Sequence, residues 1–278
     1  MVDEIDTVVG ENRRLQKDVE QLRARVVALE SSRWWRLNPR LALARWRLPH
    51  SRRRSTSLAP PPASRGSQPA PAPLHPLTAR FREEVVAYGS FQHDWFTGNI
   101  ATWEPVLREL EGRRARILEI GSFEGVSACF LLWRLPDAHV TCVDTFAGSP
   151  ENQAYGDDVT GLEATFDKNV ALVDASRVRK LVGDSRRILL DLAAEGREFG
   201  FVYIDGSHLA LDVMVDASLS WRLLTPGGVM VFDDYRWRVL GEDSLRRPGP
   251  AIDAFLDLVD GHCDIVSHGE QVIARKTD

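Results

Sequence analysis

Apolar residues after residue 76 fall into two spacings, which predict strands alternating with helices. Short apolar runs predict buried strands over residues 117–120, 139–146, 178–182, 199–204 and 229–232, and a hairpin over 264–267 and 271–275. Helical spacing predicts helices over residues 77–88, 100–110, 162–172, 209–224 and 251–259, with a further helix starting at Val126. Strands that alternate with helices favour a doubly wound α/β sheet, here one that a terminal antiparallel hairpin completes.

The amino-terminal residues show a different, heptad spacing of apolar side chains. The a positions are Ile5, Asn12, Val19 and Val26, and the d positions are Val8, Leu15, Leu22 and Leu29. β-Branched residues at a, leucine at d and a single asparagine at an a position are typical of a parallel two-stranded coiled coil. We therefore expect residues 1–32 to form a coiled coil that joins two chains through residues 5–29; the alternative is an amphipathic helix lying on the folded domain of its own chain.

Two segments of unusual composition follow the heptads. Residues 33–54 combine arginine with Trp34, Trp35 and Trp46 and contain no acid, which suits an anionic lipid interface. The alternative is a basic tail whose aromatic residues pack on a neighbouring protomer. Residues 55–76 are mainly Pro, Ala and Ser, so we expect an extended linker there and a folded domain over residues 77–278.

Charge and cysteine content limit the class of protein. The net charge of −5 divides into +7 over residues 1–76 and −12 over the remainder, so the folded domain should repel nucleic acid. The three cysteines suit a reducing cytoplasm, and no apolar run is long enough to span a membrane. We expect a cytoplasmic protein, with the inner face of the membrane as the alternative location.

A glycine-rich turn ends the first predicted strand. Its sequence, residues 119–125, reads Glu-Ile-Gly-Ser-Phe-Glu-Gly, and Gly121 and Gly125 allow the backbone to pass close to a ligand. The turn lacks the glycine spacing of a dinucleotide site and the Gly-Lys-Ser/Thr of a phosphate-binding loop. Glu119 favours an uncharged or positive ligand there. Asp144, at the end of the second strand, can accept hydrogen bonds from both hydroxyls of a ribose.

These residues resemble the glycine motif of the class I S-adenosylmethionine-dependent methyltransferases. The resemblance covers residues 85–277 and implies a Rossmann-like seven-stranded sheet with S-adenosylmethionine at the carboxyl ends of its strands. It further implies that Asp184 and Ser185, after the third strand, approach the adenine, although Ser185 alternatively serves as a helix N-cap. The implied cofactor residues are Glu119, Gly121, Ser122, Gly125, Asp144, Asp184 and Ser185.

Three aspartates end two neighbouring strands of the predicted sheet. Asp205 follows the fourth strand, and Asp233 and Asp234 follow the fifth. Carboxylates crowded at one edge repel each other, and Mg²⁺ relieves this repulsion because it prefers oxygen ligands. The alternative is an acidic strand end with one aspartate bonded to a loop.

The Ile-Asp-Gly-x-His and Asp-Asp-Tyr pair, residues 204–208 and 233–235, looks like the metal-dependent O-methyltransferases of bacterial natural products. This match implies Asp205, Asp233 and Asp234 as metal ligands. It implies His208, or alternatively Asp205, as the general base; an N-cap or surface histidine is the other interpretation of His208. Trp237 is a candidate for stacking on an acceptor sugar.

The resemblance implies an O-methyltransferase that uses S-adenosylmethionine and Mg²⁺. The expected acceptor is a sugar hydroxyl of a surface glycan or glycosylated metabolite, since residues 32–41 resemble a segment that follows coiled coils in bacterial glycosyltransferases. A membrane or glycosyltransferase contact through residues 33–54 would fit that role. The alternatives are a phenol or polyketide O-methyltransferase and a non-catalytic scaffold of a glycan-assembly complex. The intact motifs argue against the scaffold.

Overall fold

The computed structural model describes residues 74–149, 152, 157–239, 241 and 243–278. The predictions for residues 1–32, 33–54 and most of 55–76 lie outside this part of the chain. The helices are α1 (Pro76–Glu84), α2 (Ile100–Arg108), α3 (Val126–Arg134), α4 (Leu162–Ala171), α5 (Ser185–Ala194), α6 (Ala210–Leu223) and α7 (Pro248–Leu258). The strands are β1 (Arg116–Ile120), β2 (His139–Asp144), β3 (Val178–Val182), β4 (Phe199–Ile204), β5 (Leu224–Phe232), β6 (Cys263–His268) and β7 (Val272–Lys276).

The strands form one seven-stranded sheet in the order β3-β2-β1-β4-β5-β7-β6. Strands β1 to β5 pair in parallel, whereas β7 runs antiparallel to both β5 and β6. The order reverses direction at β1 and β4, whose carboxyl ends therefore form the crevice where ligands bind in open α/β sheets. The prediction of a Rossmann-like α/β sheet that ends in an antiparallel hairpin is confirmed.

Several predicted boundaries differ from the structure. Pro76, assigned to the linker, begins α1, because proline is favoured in the first turn of a helix. Strand β5 begins at Leu224 instead of residue 229, and a register shift in its pairing with β4 accommodates the Pro-Gly-Gly sequence of residues 226–228 within the strand. Strand β2 ends at Asp144, since Phe146 adopts a left-handed conformation with φ 50°.

Side chains that alternate along the strands build a core on each face of the sheet. One core joins Ile117 and Tyr203 to the helices α1 to α4, and Phe130 of α3 is fully buried there. The other joins Leu118 and Val202 to the helices α5 to α7. Because both faces are covered, the central strands are apolar nearly throughout, as expected for a parallel sheet.

Three turns at the carboxyl edge contain residues other than glycine with positive φ. These are Phe123 after β1 (φ 45°), Phe146 after β2 (φ 50°) and Asp234 after β5 (φ 57°). Residues other than glycine in this backbone conformation are strained by about 1–3 kcal/mol each, and such strain is concentrated at functional sites. The carboxyl edge is therefore the part of the described chain where function is expected. None of the described helices has the length and hydropathy needed to cross a membrane.

Candidate active site at the carboxyl edge

The glycine turn brings β1 and β4 into close backbone contact. Gly121 has φ 86°, and a Cβ atom there would lie 2.0 Å from the carbonyl oxygen of Asp205. Gly125 has φ 84°, and its Cβ would lie 2.9 Å from the ring of Phe166. Both positions therefore require glycine, for conformation and for space. The turn ends at Val126, where α3 begins and directs its amino terminus toward the crevice.

Glu119 and Ser122 lie beneath this turn and not on its surface. Glu119 is fully buried, and the Ser122 hydroxyl donates a 2.6 Å hydrogen bond to its Oε2. Burial raises the pKa of Glu119 above its usual range. Its other oxygen, Oε1, has no hydrogen-bond partner among the described residues. The predicted acid before the turn is thus a buried group that contacts the loop through Ser122.

Asp144 anchors the two strained turns on either side of it. Its Oδ2 accepts the backbone N–H of Phe123 at 2.8 Å, and its Oδ1 accepts that of Phe146 at 2.7 Å. A carboxylate offers about four acceptor directions, so about two remain for a ligand. These remaining acceptor directions fit the two hydroxyls of a ribose, which is the role we predicted for Asp144.

Asp184 and Ser185 lie after β3, where both were predicted to approach the adenine. Asp184 is the N-cap of α5, and the side chain of Arg186 donates to it, which lowers the pKa of Asp184 to about 2. The prediction that Ser185 is the N-cap is therefore wrong. Its hydroxyl instead donates a 2.7 Å hydrogen bond to Oδ1 of Asp216, a buried residue of α6 that sequence reasoning missed.

A second cluster forms where β4 and β5 end. The hydroxyl oxygen of Tyr203 lies 2.8 Å from Oδ2 of Asp205 and also contacts Oδ2 of Asp233. A tyrosine hydroxyl has one proton, so it cannot donate to both carboxylates at once. A further proton or a cation must therefore offset the charge of this pair.

The charges of the cluster perturb each other strongly. Burial, with the neighbouring charges of Asp233 and Asp234, raises the pKa of Asp205 well above its usual range. Burial and the charge of Asp234 raise the pKa of Asp233 to about 6. Burial also raises the pKa of Tyr203. These shifts follow from like charges held out of water, and they often mark functional sites.

His208 lies beside the cluster and pairs with the third aspartate. Its Nε2 is 2.8 Å from Oδ2 of Asp234, and its ring stacks on Trp237 with centroids 4.1 Å apart and an interplanar angle of 10°. The interpretation of His208 as an N-cap is wrong, because α6 begins at Ala210 with Leu209 as N-cap. An imidazole held between a carboxylate and an aromatic ring has the arrangement of an oriented general base.

One pocket joins these groups. Residues 204–208 line one side of it and residues 232–234 the other, with Val213 and Pro248 completing the wall. The oxygen donors of the three aspartates suit a hard divalent cation in chemistry. In the part of the chain that the structure describes, however, no three His, Cys, Asp or Glu side chains are arranged as a ready metal-binding group. Tyr203 and His208 each contact carboxylate oxygens of this group.

The loop that contains Gln92 and Trp95 borders the glycine turn. Gln92 donates hydrogen bonds to Glu124 from both its backbone and its side chain, and its side chain also bonds Asp158. Trp95 is 45% exposed and lies between the rings of His93 and Phe123. This loop therefore connects the turn after β1 with the segment before α4.

The fold is that of methyltransferases, and comparison with known proteins agrees with it. Residues 118–235 match the family model described as a methyltransferase domain. No curated protein sequence matches the chain significantly.

Solved O-methyltransferase structures share this fold. The chain resembles MycE of the mycinamycin biosynthetic pathway, solved with Mg, SAH and mycinamycin VI, with a TM-score of 0.52 and 18% identity over 73% of this chain. It spans 55% of the length of MycE. It also resembles TomG from Streptomyces achromogenes, an O-methyltransferase of tomaymycin synthesis in complex with SAM (TM-score 0.51, 20% identity, 73% of this chain and 91% of TomG). A Bacillus cereus O-methyltransferase with SAH has a TM-score of 0.51 and 17% identity, covering 74% of this chain and 93% of its own.

Two members of the cluster escaped sequence reasoning. Tyr203 precedes Asp205 by two residues, and since side chains two apart on a strand share a face, this contact could have been inferred. Gln271 donates to Asp233 Oδ2 at 2.8 Å from the β6–β7 turn. No local pattern indicates that contact.

Proposed function

We propose that this chain transfers the methyl group of S-adenosylmethionine to a hydroxyl oxygen, and that the acceptor is a sugar of a surface glycan or a glycosylated metabolite. The observation that carries the proposal is the His208–Asp234 pair beside the buried Asp205–Tyr203–Asp233 cluster, within one pocket at the carboxyl edge. The pocket places a candidate base next to oxygen donors, as hydroxyl activation requires.

In the proposed reaction the acceptor oxygen attacks the methyl carbon in line with the breaking carbon–sulfur bond. The bonding electrons remain on sulfur, which yields S-adenosylhomocysteine, and the hydroxyl proton passes to His208. The 2.8 Å contact of Nε2 with Oδ2 of Asp234 holds the imidazole beside a carboxylate, so this pair can take up the proton. Asp234 stabilises the imidazolium that forms, and Trp237 restricts the ring to one plane.

Asp205, Asp233 and Asp234 would hold Mg²⁺ in this proposal. A bound divalent cation supplies Lewis acidity, which lowers the pKa of an acceptor hydroxyl toward the range of an imidazole base. The carboxylates fit this role in charge and donor type, since Tyr203 alone cannot neutralise the pair that it contacts. The magnesium in MycE is consistent with such a role.

Calorimetric titration of S-adenosylmethionine tests the proposal, with and without Mg²⁺. We expect micromolar cofactor binding and a separate Mg²⁺ heat that Asp233→Ala abolishes. Asp264→Ala, which removes an exposed aspartate of β6, is the matched control and should retain both heats. Absence of cofactor binding would reject the methyltransferase activity, and cofactor binding without any Mg²⁺ heat would reject the metal-assisted mechanism.

An acceptor panel then tests the substrate class. Release of S-adenosylhomocysteine with glycosylated acceptors, but not with phenols, is the expected outcome. A phenol or polyketide acceptor is the alternative; TomG, an O-methyltransferase of tomaymycin synthesis, shares the fold. Turnover confined to phenols would establish that alternative.

A further inference from the structure

The terminal hairpin contributes a buried amide to the carboxylate cluster. Gln271, at the turn before β7, is only 4% exposed. Its Nε2 donates to Oδ2 of Asp233 at 2.8 Å, and its Oε1 accepts a 2.7 Å hydrogen bond from the indole Nε1 of Trp103. The amide thus connects α2, at one side of the domain, with the end of β5.

This amide can adopt only one orientation. An indole N–H is a donor and never an acceptor, so the Gln271 oxygen must face Trp103 and its nitrogen must face Asp233. Trp103 itself is fully buried, with its ring centroid 4.8 Å from that of Phe96 and 4.7 Å from that of Tyr203. Because the indole is fixed by packing, the amide nitrogen is directed at the carboxylate.

The contacts of Asp233 leave its carboxylate little freedom. Oδ1 accepts the backbone N–H of Asp234 at 2.7 Å, and Oδ2 contacts both Gln271 and the Tyr203 hydroxyl. Three of its roughly four acceptor directions are therefore in use. The plane of the carboxylate is set by the adjacent backbone and by two segments distant in sequence, and the remaining direction is the one available to a ligand.

We propose that Gln271, backed by Trp103, is a positioning residue that holds Asp233 in the orientation used by the active site. The inference rests on the proposed function and extends it, because it assigns a role in cation binding to the β6–β7 hairpin and to α2. Partners of this kind typically change metal affinity by about 10–100-fold when they are removed.

The first test compares cation affinity among variants of the full chain. Mn²⁺ binding is followed by electron paramagnetic resonance and Mg²⁺ binding by calorimetry, both with S-adenosylhomocysteine present. Gln271→Met keeps the side-chain length but removes both hydrogen bonds, and should weaken cation binding about 10–100-fold while the cofactor Kd stays within about twofold. Trp103→Phe should weaken cation binding by a smaller factor, since the Gln271 amide then loses the hydrogen bond from the indole but keeps its bond to Asp233.

Phe255→Leu is the matched control for loss of core packing. Phe255 is 1% exposed, belongs to the core on the other face and packs against Phe232 and Trp221. Its replacement should lower stability without changing cation affinity. If Gln271→Met binds Mn²⁺ and Mg²⁺ as tightly as the wild type does, the inference is overturned.

A second readout needs neither cofactor nor metal. The Trp103 indole N–H resonance, assigned by its loss in Trp103→Phe, should move in Gln271→Met and also in Asp233→Ala, because the amide couples the two groups. An indole resonance unchanged by Asp233→Ala would overturn the inference. If the proposed function fails, the wild-type chain itself will not bind the cofactor or the cation. The indole resonance would still show in that case whether Gln271 couples Trp103 to Asp233.

Discussion

Asp216 allows the free energy of unfolding to be predicted as a function of pH. This residue of α6 is 2% exposed, and the Ser185 hydroxyl donates to it at 2.7 Å. Burial raises its pKa from 3.8 to about 6; the charges of Asp212 and Asp184 act in the same direction, whereas Ser185 and Arg186 lower it. Between these two pKa values the folded chain retains a proton that the unfolded chain has lost.

The sign and size of the effect follow from this proton difference. Because the folded state binds more protons, stability falls as pH rises through the window from about 4 to 6. This pKa difference between the folded and unfolded chains lowers the free energy of unfolding by about 3 kcal/mol at pH 7.5 and by about 1 kcal/mol at pH 4.5. Asp216→Asn is neutral throughout and can still accept from Ser185, so it should gain about 2 kcal/mol relative to the wild type across this range.

Urea unfolding followed by circular dichroism at several pH values measures this difference. Asp257→Asn, which removes an exposed carboxyl group of α7, provides the correction for loss of one charge. Ser185→Ala removes a hydrogen bond that lowers the pKa of Asp216, and should therefore steepen the pH dependence. Parallel stability curves for the wild type and Asp216→Asn would refute the reasoning.

Three further predictions concern the carboxyl edge. Gly121→Ala places a Cβ 2.0 Å from a backbone oxygen at φ 86° and should destabilise the chain by roughly 3 kcal/mol or more. Urea unfolding should show this as a lower midpoint, and a midpoint equal to that of the wild type would contradict the close contact. His208→Ala should lower kcat by about 10²–10⁴-fold with an unchanged cofactor Kd, and near-normal turnover would remove His208 as the base. Trp237→Ala should lower kcat by about tenfold because the His208 ring loses its stacking partner, and Trp237→Phe should keep most of the wild-type kcat. The stacking of this indole on the acceptor sugar is a separate prediction, which an unchanged acceptor KM in Trp237→Ala would reject.

The sheet could be predicted because its signals are local. The apolar runs of β3 and β4 give the observed bounds, and Gly121 and Gly125 adopt the positive φ expected of the turn. The start of β5 was missed because Pro226-Gly227-Gly228 reads as a turn, whereas pairing of Leu224 with Phe199 extends the strand through it. Local propensity was overridden there by tertiary contacts.

The aspartates at the ends of β4 and β5 were predictable, but their partners and contacts were not. Strand periodicity and the motifs bring Asp205, Asp233 and Asp234 to one edge, where the structure also places them. The partners that fix them could not be predicted, since the bond from Trp103 to Gln271 joins residues 168 positions apart. Likewise, nothing in the local sequence indicates that Trp237 stacks on His208.

The left-handed turns at Phe123 and Phe146 have a consequence for protein engineering. Glycine or asparagine at Phe123 would relieve backbone strain, so a selection for heat resistance should enrich these replacements there. Phe146 differs because it is only 8% exposed and packs against Phe166, so the same replacements would cost more core packing than the strain they relieve. The Phe123 ring contacts Trp95, and its backbone N–H donates to Asp144. Clones that gain thermal tolerance through Phe123 should therefore lose ligand affinity, since the turn beside Asp144 loses its contact with Trp95, whereas gains distant from this edge should leave ligand affinity intact.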